Sequence, residues 1–209
     1  MTNPSRWVLD RRRRAASVVG WAVGAELISA AFVLQAHPSY RTPSSIGAMP
    51  AVSEAAAYGA DGQGLAPHRL HVLAAGVDAA VVPVTAAPDG ELGVPDDPRR
   101  VGWWAVGAAA GSARGTVVID GHVDTKQAGP GALYRLETLT PGEQVTLDTD
   151  SGARGYRVAD REVYSKGSLP PSLFSTDGPP RLALITCGGP FNRETGRYRY
   201  NVVVYALPV

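Results

Sequence analysis

The 209 residues hold one cysteine, Cys187, which closes the apolar run Leu182–Thr186 just before Gly188-Gly189-Pro190. A thiolate is a strong nucleophile, and this run reads as a buried strand that presents the sulfur at a loop mouth. A small core hydrophobe is the alternative reading of the same cysteine. His122, preceded by Gly121 and by the apolar run Thr116–Ile119, is a second side chain at a strand end. Imidazole exchanges protons near neutral pH, although a lone histidine is often just a satisfied surface residue. Arg197 and Arg199, two apart on a strand, share one face and carry a charge that is not lost. Together the three residue types supply a nucleophile, a proton carrier and an anion stabiliser. Asp120 and Asp124 flank His122, either as ring-orienting carboxylates or as turn acids.

Other chemistries lack their residues. Cys187 and His122 have no companions at ligand spacing, so neither a metal nor another cofactor is expected. No glycine loop follows a strand–helix pattern, which argues against a nucleotide site. A formal net charge of +1 gives no general reason to bind nucleic acid.

The elements that must hold these groups are short apolar or alternating runs rich in Val, Tyr and Trp. They are Arg69–Leu73, Ala79–Val84, Val101–Val106, Thr116–Ile119, Gln144–Leu147, Tyr156–Tyr164, Leu182–Thr186 and Tyr198–Leu207. Turn chemistry separates them, as at Pro95-Asp96-Asp97-Pro98, Pro141-Gly142 and Asp177-Gly178-Pro179-Pro180. Eight strands predict an all-β barrel or sandwich over residues 67–209. Helical signal is sparse, with one turn or short helix expected in Gly131–Leu139 and another in Pro171–Phe174.

The N-terminal third reads differently. Residues 1–14 are basic, with Arg6 and Arg11–Arg14, and precede the twenty-residue run Ala15–Leu34, whose one charge is Glu26. As a helix that run would be about 30 Å long, the thickness of a bilayer's hydrocarbon core. Arginines before an apolar segment keep the N-terminus in the cytoplasm. The expectation is a single-pass signal-anchor over 15–34, with cleavage at Ser29-Ala30-Ala31 as its rival. Residues 35–66, rich in Pro, Ala, Ser and Gly, read as a stalk. An exported domain with one unpaired thiol has no disulfide framework, and a nucleophile gives that thiol a purpose.

Three segments together resemble the sortase family. They are Ala183-Leu184-Ile185-Thr186-Cys187, Val118-Ile119-Asp120-Gly121-His122, and Arg199 before Asn201-Val202-Val203-Val204-Tyr205. The likeness covers about Pro67–Val209. Thr186–Phe191 and Tyr198–Tyr205 look most like class F, the actinobacterial type, with class E next. The resemblance implies an eight-stranded sortase-like barrel and a cysteine transpeptidase acting on LPxTG-type surface proteins. In it Cys187 would attack the Thr–Gly carbonyl, His122 would shuttle the proton, and Arg199 would face the oxyanion. An amine of a peptidoglycan precursor would accept the acyl group. Thr186 is a further substrate-site candidate, through hydroxyl or backbone. Leu169, Pro170, Leu173 and Phe174, in the segment before the cysteine strand, are candidates for an apolar wall. A non-catalytic envelope-binding β-domain and a protease that only hydrolyses are the competing readings.

Overall fold

β-Branched and aromatic residues fit a pleated, half-buried surface, and the runs that carry them become eight strands. In the computed structural model these are β1 (Pro67–Val72), β2 (Val77–Val84), β3 (Val101–Trp104), β4 (Thr116–Gly121), β5 (Gln144–Thr149), β6 (Gly152–Ser165), β7 (Arg181–Asn192) and β8 (Arg197–Pro208). The structure describes residues 43–49, 64–86 and 91–209. The basic N-terminus, the expected membrane span 15–34 and most of the stalk lie outside them. Among the described residues no helix is long and apolar enough to cross a membrane.

The strands close on themselves in the order β1-β2-β3-β4-β7-β8-β6-β5, and β5 returns to β1. Closure removes the free sheet edges on which chains aggregate. Two pairings, β2 with β3 and β4 with β7, are parallel, and the others antiparallel. Alternation sorts the side chains of β7 and β8 onto two faces. Leu182, Leu184, Val204 and Ala206 join the main core with Leu70, Ile119 and Leu147. Ala183, Ile185, Val203 and Tyr205 face a second cluster with Val118 and Leu173, against which Leu169, Phe174 and Trp104 pack. Both faces are therefore covered, which is why these strands read as unbroken apolar runs rather than alternating ones.

Several boundaries differ from the sequence reading. β7 does not stop at Cys187 but continues to Asn192, with a register shift between Gly188 and Phe191. The glycines after the cysteine form an irregular part of the strand, not a terminating turn. Leu73 leaves β1 to begin a 3₁₀ turn, Leu73–Ala75, and Val106 lies beyond β3 in an exposed turn. The two expected short helices are 3₁₀ turns, Leu136–Thr138 and Pro171–Phe174. Part of the expected stalk is also built into the sheet. Ile46–Gly47 pairs antiparallel with Arg161 and Asp160 of β6, and Leu65 bridges Ala110.

Candidate active site

The parallel pair β4–β7 runs in register from Arg181 opposite Thr116 to Ile185 opposite Asp120. Continued two residues, that register sets Cys187 level with His122. Thr186, inside β7, fastens that strand to the end of β4, because its buried Oγ1 donates to the Gly121 carbonyl at 2.8 Å. Threonine before the cysteine thus spends its hydroxyl on aligning the two strands. On the other side, Cys187 faces Asn201 of β8. Arg199, two residues before Asn201, takes the same face.

Around the thiol a cavity of about 280 Å³ is lined by Thr186, Cys187, Ile185, Leu169, Phe174, Lys166, Asp120 and Asn201, with Leu92 and Val94 from the β2–β3 connection. Leu169 and Phe174 thus stand where an apolar wall was expected. Leu173 does not, because it is fully buried in the second cluster beneath that wall. Its burial stabilises the segment by about 1.5–3 kcal/mol. Pro170 is outside the lining as well, and its carbonyl accepts from the Leu173 N–H at 2.9 Å, closing the 3₁₀ turn.

His122 is half-buried, and its Nε2–H donates to the Pro95 carbonyl at 2.9 Å. A carbonyl only accepts, so Nε2 carries a proton in this arrangement. Nδ1 is the nitrogen left to exchange one. The backbone under the ring is held closely. Gly131 N–H donates to Val123 O, Leu133 N–H donates to His122 O, and a Cβ on Gly131 would collide with the His122 carbonyl.

Neither flanking aspartate bonds to the histidine. Asp124 accepts a hydrogen bond from the Tyr198 hydroxyl at 2.7 Å. Asp120 is no turn acid: it is 3% exposed in the cavity wall. Burial pushes its carboxyl up to about 8, so it is protonated at neutral pH. Its own N–H and that of Gly102 lie close enough to oppose the shift. Even so, neither carboxyl oxygen completes a hydrogen bond. Gly102, its partner across β3–β4, has no side chain because a Cβ there would strike the Asp120 carboxyl.

The two arginines separate clearly. Arg197 is ion-paired with Glu91 at 2.8 Å. The Arg199 side chain is exposed and makes no ion pair or hydrogen bond among the described residues. Arg199 stands outside the cavity lining, as does His122, so the resting cavity contains the thiol without either partner. The sequence reading missed Lys166, whose Nζ donates to Cys187 Sγ at 3.1 Å. The segment before the cysteine strand stands out in the sequence for its apolar residues, and no spacing rule links a lysine to a cysteine 21 positions on. Among the described residues no cluster of His, Cys, Asp and Glu is arranged to hold a metal ion.

A profile of the Sortase domain matches residues 70–209. A search of curated proteins gives no match. Among solved structures, the chain is similar to the SrtA sortase from Actinomyces oris, at 18% identity and TM-score 0.52, covering 71% of this chain and 82% of that one. It is also similar to a Clostridium perfringens sortase D5 transpeptidase, at 16% identity and TM-score 0.51, covering 70% and 79%. Sortase A from Corynebacterium diphtheriae, a lid mutant, aligns at 15% identity and TM-score 0.51 over 68% of each chain. At such identities the structures speak for the fold, while the domain profile, spanning most of the chain and every strand from Leu70 on, speaks for the family. The chain belongs to the sortase family of cysteine transpeptidases.

Proposed function

We propose that this sortase cleaves an LPxTG-like sorting signal between Thr and Gly and transfers the acyl group to an amine of a peptidoglycan precursor. The observation that carries the reading is that the β4–β7 register and the Thr186–Gly121 hydrogen bond bring the residues just before Cys187 and just before His122 side by side, with an apolar cavity opening at the sulfur. Cys187 Sγ attacks the threonine carbonyl, a C–S bond forms, and the C–N bond to glycine breaks. His122 Nδ1 takes the thiol proton as the C–S bond forms and gives it to the departing glycine amine; it then takes one from the incoming amine and returns it to the sulfur as the C–S bond breaks. Arg199, with no partner of its own among the described residues, supplies a planar fork of donors for the oxyanion. Leu169 and Phe174, with Leu92 and Val94, form the apolar surface for the signal's Leu-Pro. Leu173, in the cluster against which Leu169 and Phe174 pack, supports that surface from behind, and Pro170 accepts the hydrogen bond that closes its turn. The motifs around Cys187 and Arg199 favour class F over class E.

The domain acts outside the membrane, tethered by residues 15–34. That assignment rests on Arg11–Arg14 and the length of the apolar run. Protease added to intact cells is expected to release the domain and leave a membrane-bound stub. A mature N-terminus near Ala31 or Phe32 would instead show a cleaved signal.

The decisive experiment incubates the protein with an LPxTG peptide and an amine and follows the products by mass spectrometry. The expected product is the peptide–amine adduct, absent with Cys187→Ala and reduced on the order of 10²–10⁴-fold with His122→Ala. A cleaved peptide without adduct would identify a hydrolase, and an intact peptide a binding domain. An adduct made by Cys187→Ala would overturn the mechanism.

A further inference from the structure

Lys166 is the first residue after β6, and its place is set by backbone rather than by its side chain. Its N–H donates to the Arg199 carbonyl at 3.1 Å, and Ser168 N–H closes a turn onto Ser165 O immediately behind it. β8 lies between β6 and β7, so the lysine must reach over an intervening strand to meet Cys187. Two strand spacings are about 9.6 Å, a gap that a four-carbon stem and the cysteine side chain span together. The contact found, Nζ to Sγ at 3.1 Å, is a charge-assisted hydrogen bond.

The surrounding charges leave that ammonium to the sulfur. Lys166 has no carboxylate partner among the described residues. Glu91, in the same cavity wall, is paired with Arg197. Asp120 is protonated at neutral pH by its burial and presents no negative charge there. Arg199, opposite Lys166 on β8, points to the same face but makes no contact with the sulfur.

We infer that Lys166 is a positioning residue for the nucleophile, holding Cys187 Sγ by a hydrogen bond and supporting negative charge on it. The two cations then divide the reaction, Lys166 serving the sulfur and Arg199 the carbonyl oxygen. When the thioester forms, the sulfur is committed to carbon and releases the lysine. When the incoming amine breaks the C–S bond, the lysine meets the negative charge that develops on the leaving sulfur and the contact returns. Lys166 forms no covalent bond in either step. Its part in turnover rests on the proposed acyl transfer, whereas its hold on the resting thiol does not.

The test therefore reads the resting thiol. Cys187 is alkylated at fixed pH and ionic strength with neutral iodoacetamide and, separately, with anionic iodoacetate, in the wild type, Lys166→Met and Lys166→Arg. Loss of a cation at the sulfur is expected to slow iodoacetate about tenfold and iodoacetamide less, so that the ratio of the two rates falls. Lys166→Arg should restore the ratio. Unchanged rates in Lys166→Met, or equal changes with both reagents in either direction, would overturn the inference and leave Lys166 a structural residue. Neither outcome depends on the peptide substrate, so a failure here is distinct from a failure of the transpeptidase reading.

Discussion

At the scale of single residues, the two arginines entering β8 show how contacts separate what spacing leaves equal. Arg197 and Arg199 share a face, but among the described residues only Arg197 has an ion-pair partner. Arg199→Ala is expected to lower kcat/KM on the order of 10²–10³-fold, the usual cost of one oxyanion donor. Arg197→Ala removes an exposed ion pair and should change activity by no more than about fivefold. Peptide–amine kinetics on the two variants check this, and the reverse pattern would move the role to Arg197. Asp120 makes a second residue-scale demand. Its carboxyl sits near 8 in the folded protein against an ordinary value of 3.8. Between those pH values the folded state holds a proton that the unfolded state has released, so stability is fully present below about pH 4 and falls as pH rises toward 8. Asp160 is raised in the same direction, by its own burial and by Glu162, and adds to the trend. Asp120→Asn should flatten this decline and be more stable than wild type at pH 8, by an amount on the order of a few kcal/mol. Urea unfolding at pH 5 and pH 8 measures it; an equal pH slope in both proteins would show that Asp120 does not carry the effect.

At the scale of elements, the site depends on the interior of β7 being held beside the end of β4. Thr186 ties β7 to β4 through the Gly121 carbonyl, and the loop after β4 folds back to place Gly131 against the His122 backbone. The short ribbon Asp124–Thr125 with Gly129–Pro130 is what returns the chain to that point. Gly131→Ala would push the His122 peptide away from its place while leaving the barrel ladders intact. Activity should fall on the order of 10²-fold, the cost of displacing a catalytic group by about 1 Å. The unfolding midpoint should move far less. A variant with wild-type kcat would show that the loop tolerates the methyl group and that His122 is positioned otherwise.

At the scale of the whole molecule, the barrel recruits chain that precedes its first strand. Arg161 is 8% exposed, and its guanidinium donates to the carbonyls of Ser44, Glu137 and Leu139. Ser45 Oγ adds a hydrogen bond to Glu162. A buried cation satisfied by carbonyls loses part of its shell when residues 43–49 are removed. A chain beginning at residue 67 should still fold but unfold more easily than one beginning at residue 43, by roughly 2 kcal/mol. Denaturant unfolding of the two chains decides it, and identical midpoints would return residues 43–49 to the status of a stalk.

The eight strands were legible in the sequence because their signal is local: apolar runs, β-branched and aromatic residues, and turn residues between them all act within a few positions. Cys187 and His122 stand out in the sequence for a similar reason, since rare residue types beside apolar runs are visible without knowledge of their neighbours. Arg199 was separable from Arg197 only by family likeness, because residues two apart on a strand are physically equivalent until a partner such as Glu91 arrives from another loop. Asp120 reads in the sequence as either a ring-orienting carboxylate or a turn acid, and only the closure of β3 over β4 made it a buried, protonated group. The continuation of β7 beyond Cys187, the docking of Ile46–Gly47 and the reach of Lys166 across β8 were likewise decided by tertiary structure. Each depends on strands brought side by side from distant parts of the chain, and local periodicity carries no record of which strands become neighbours.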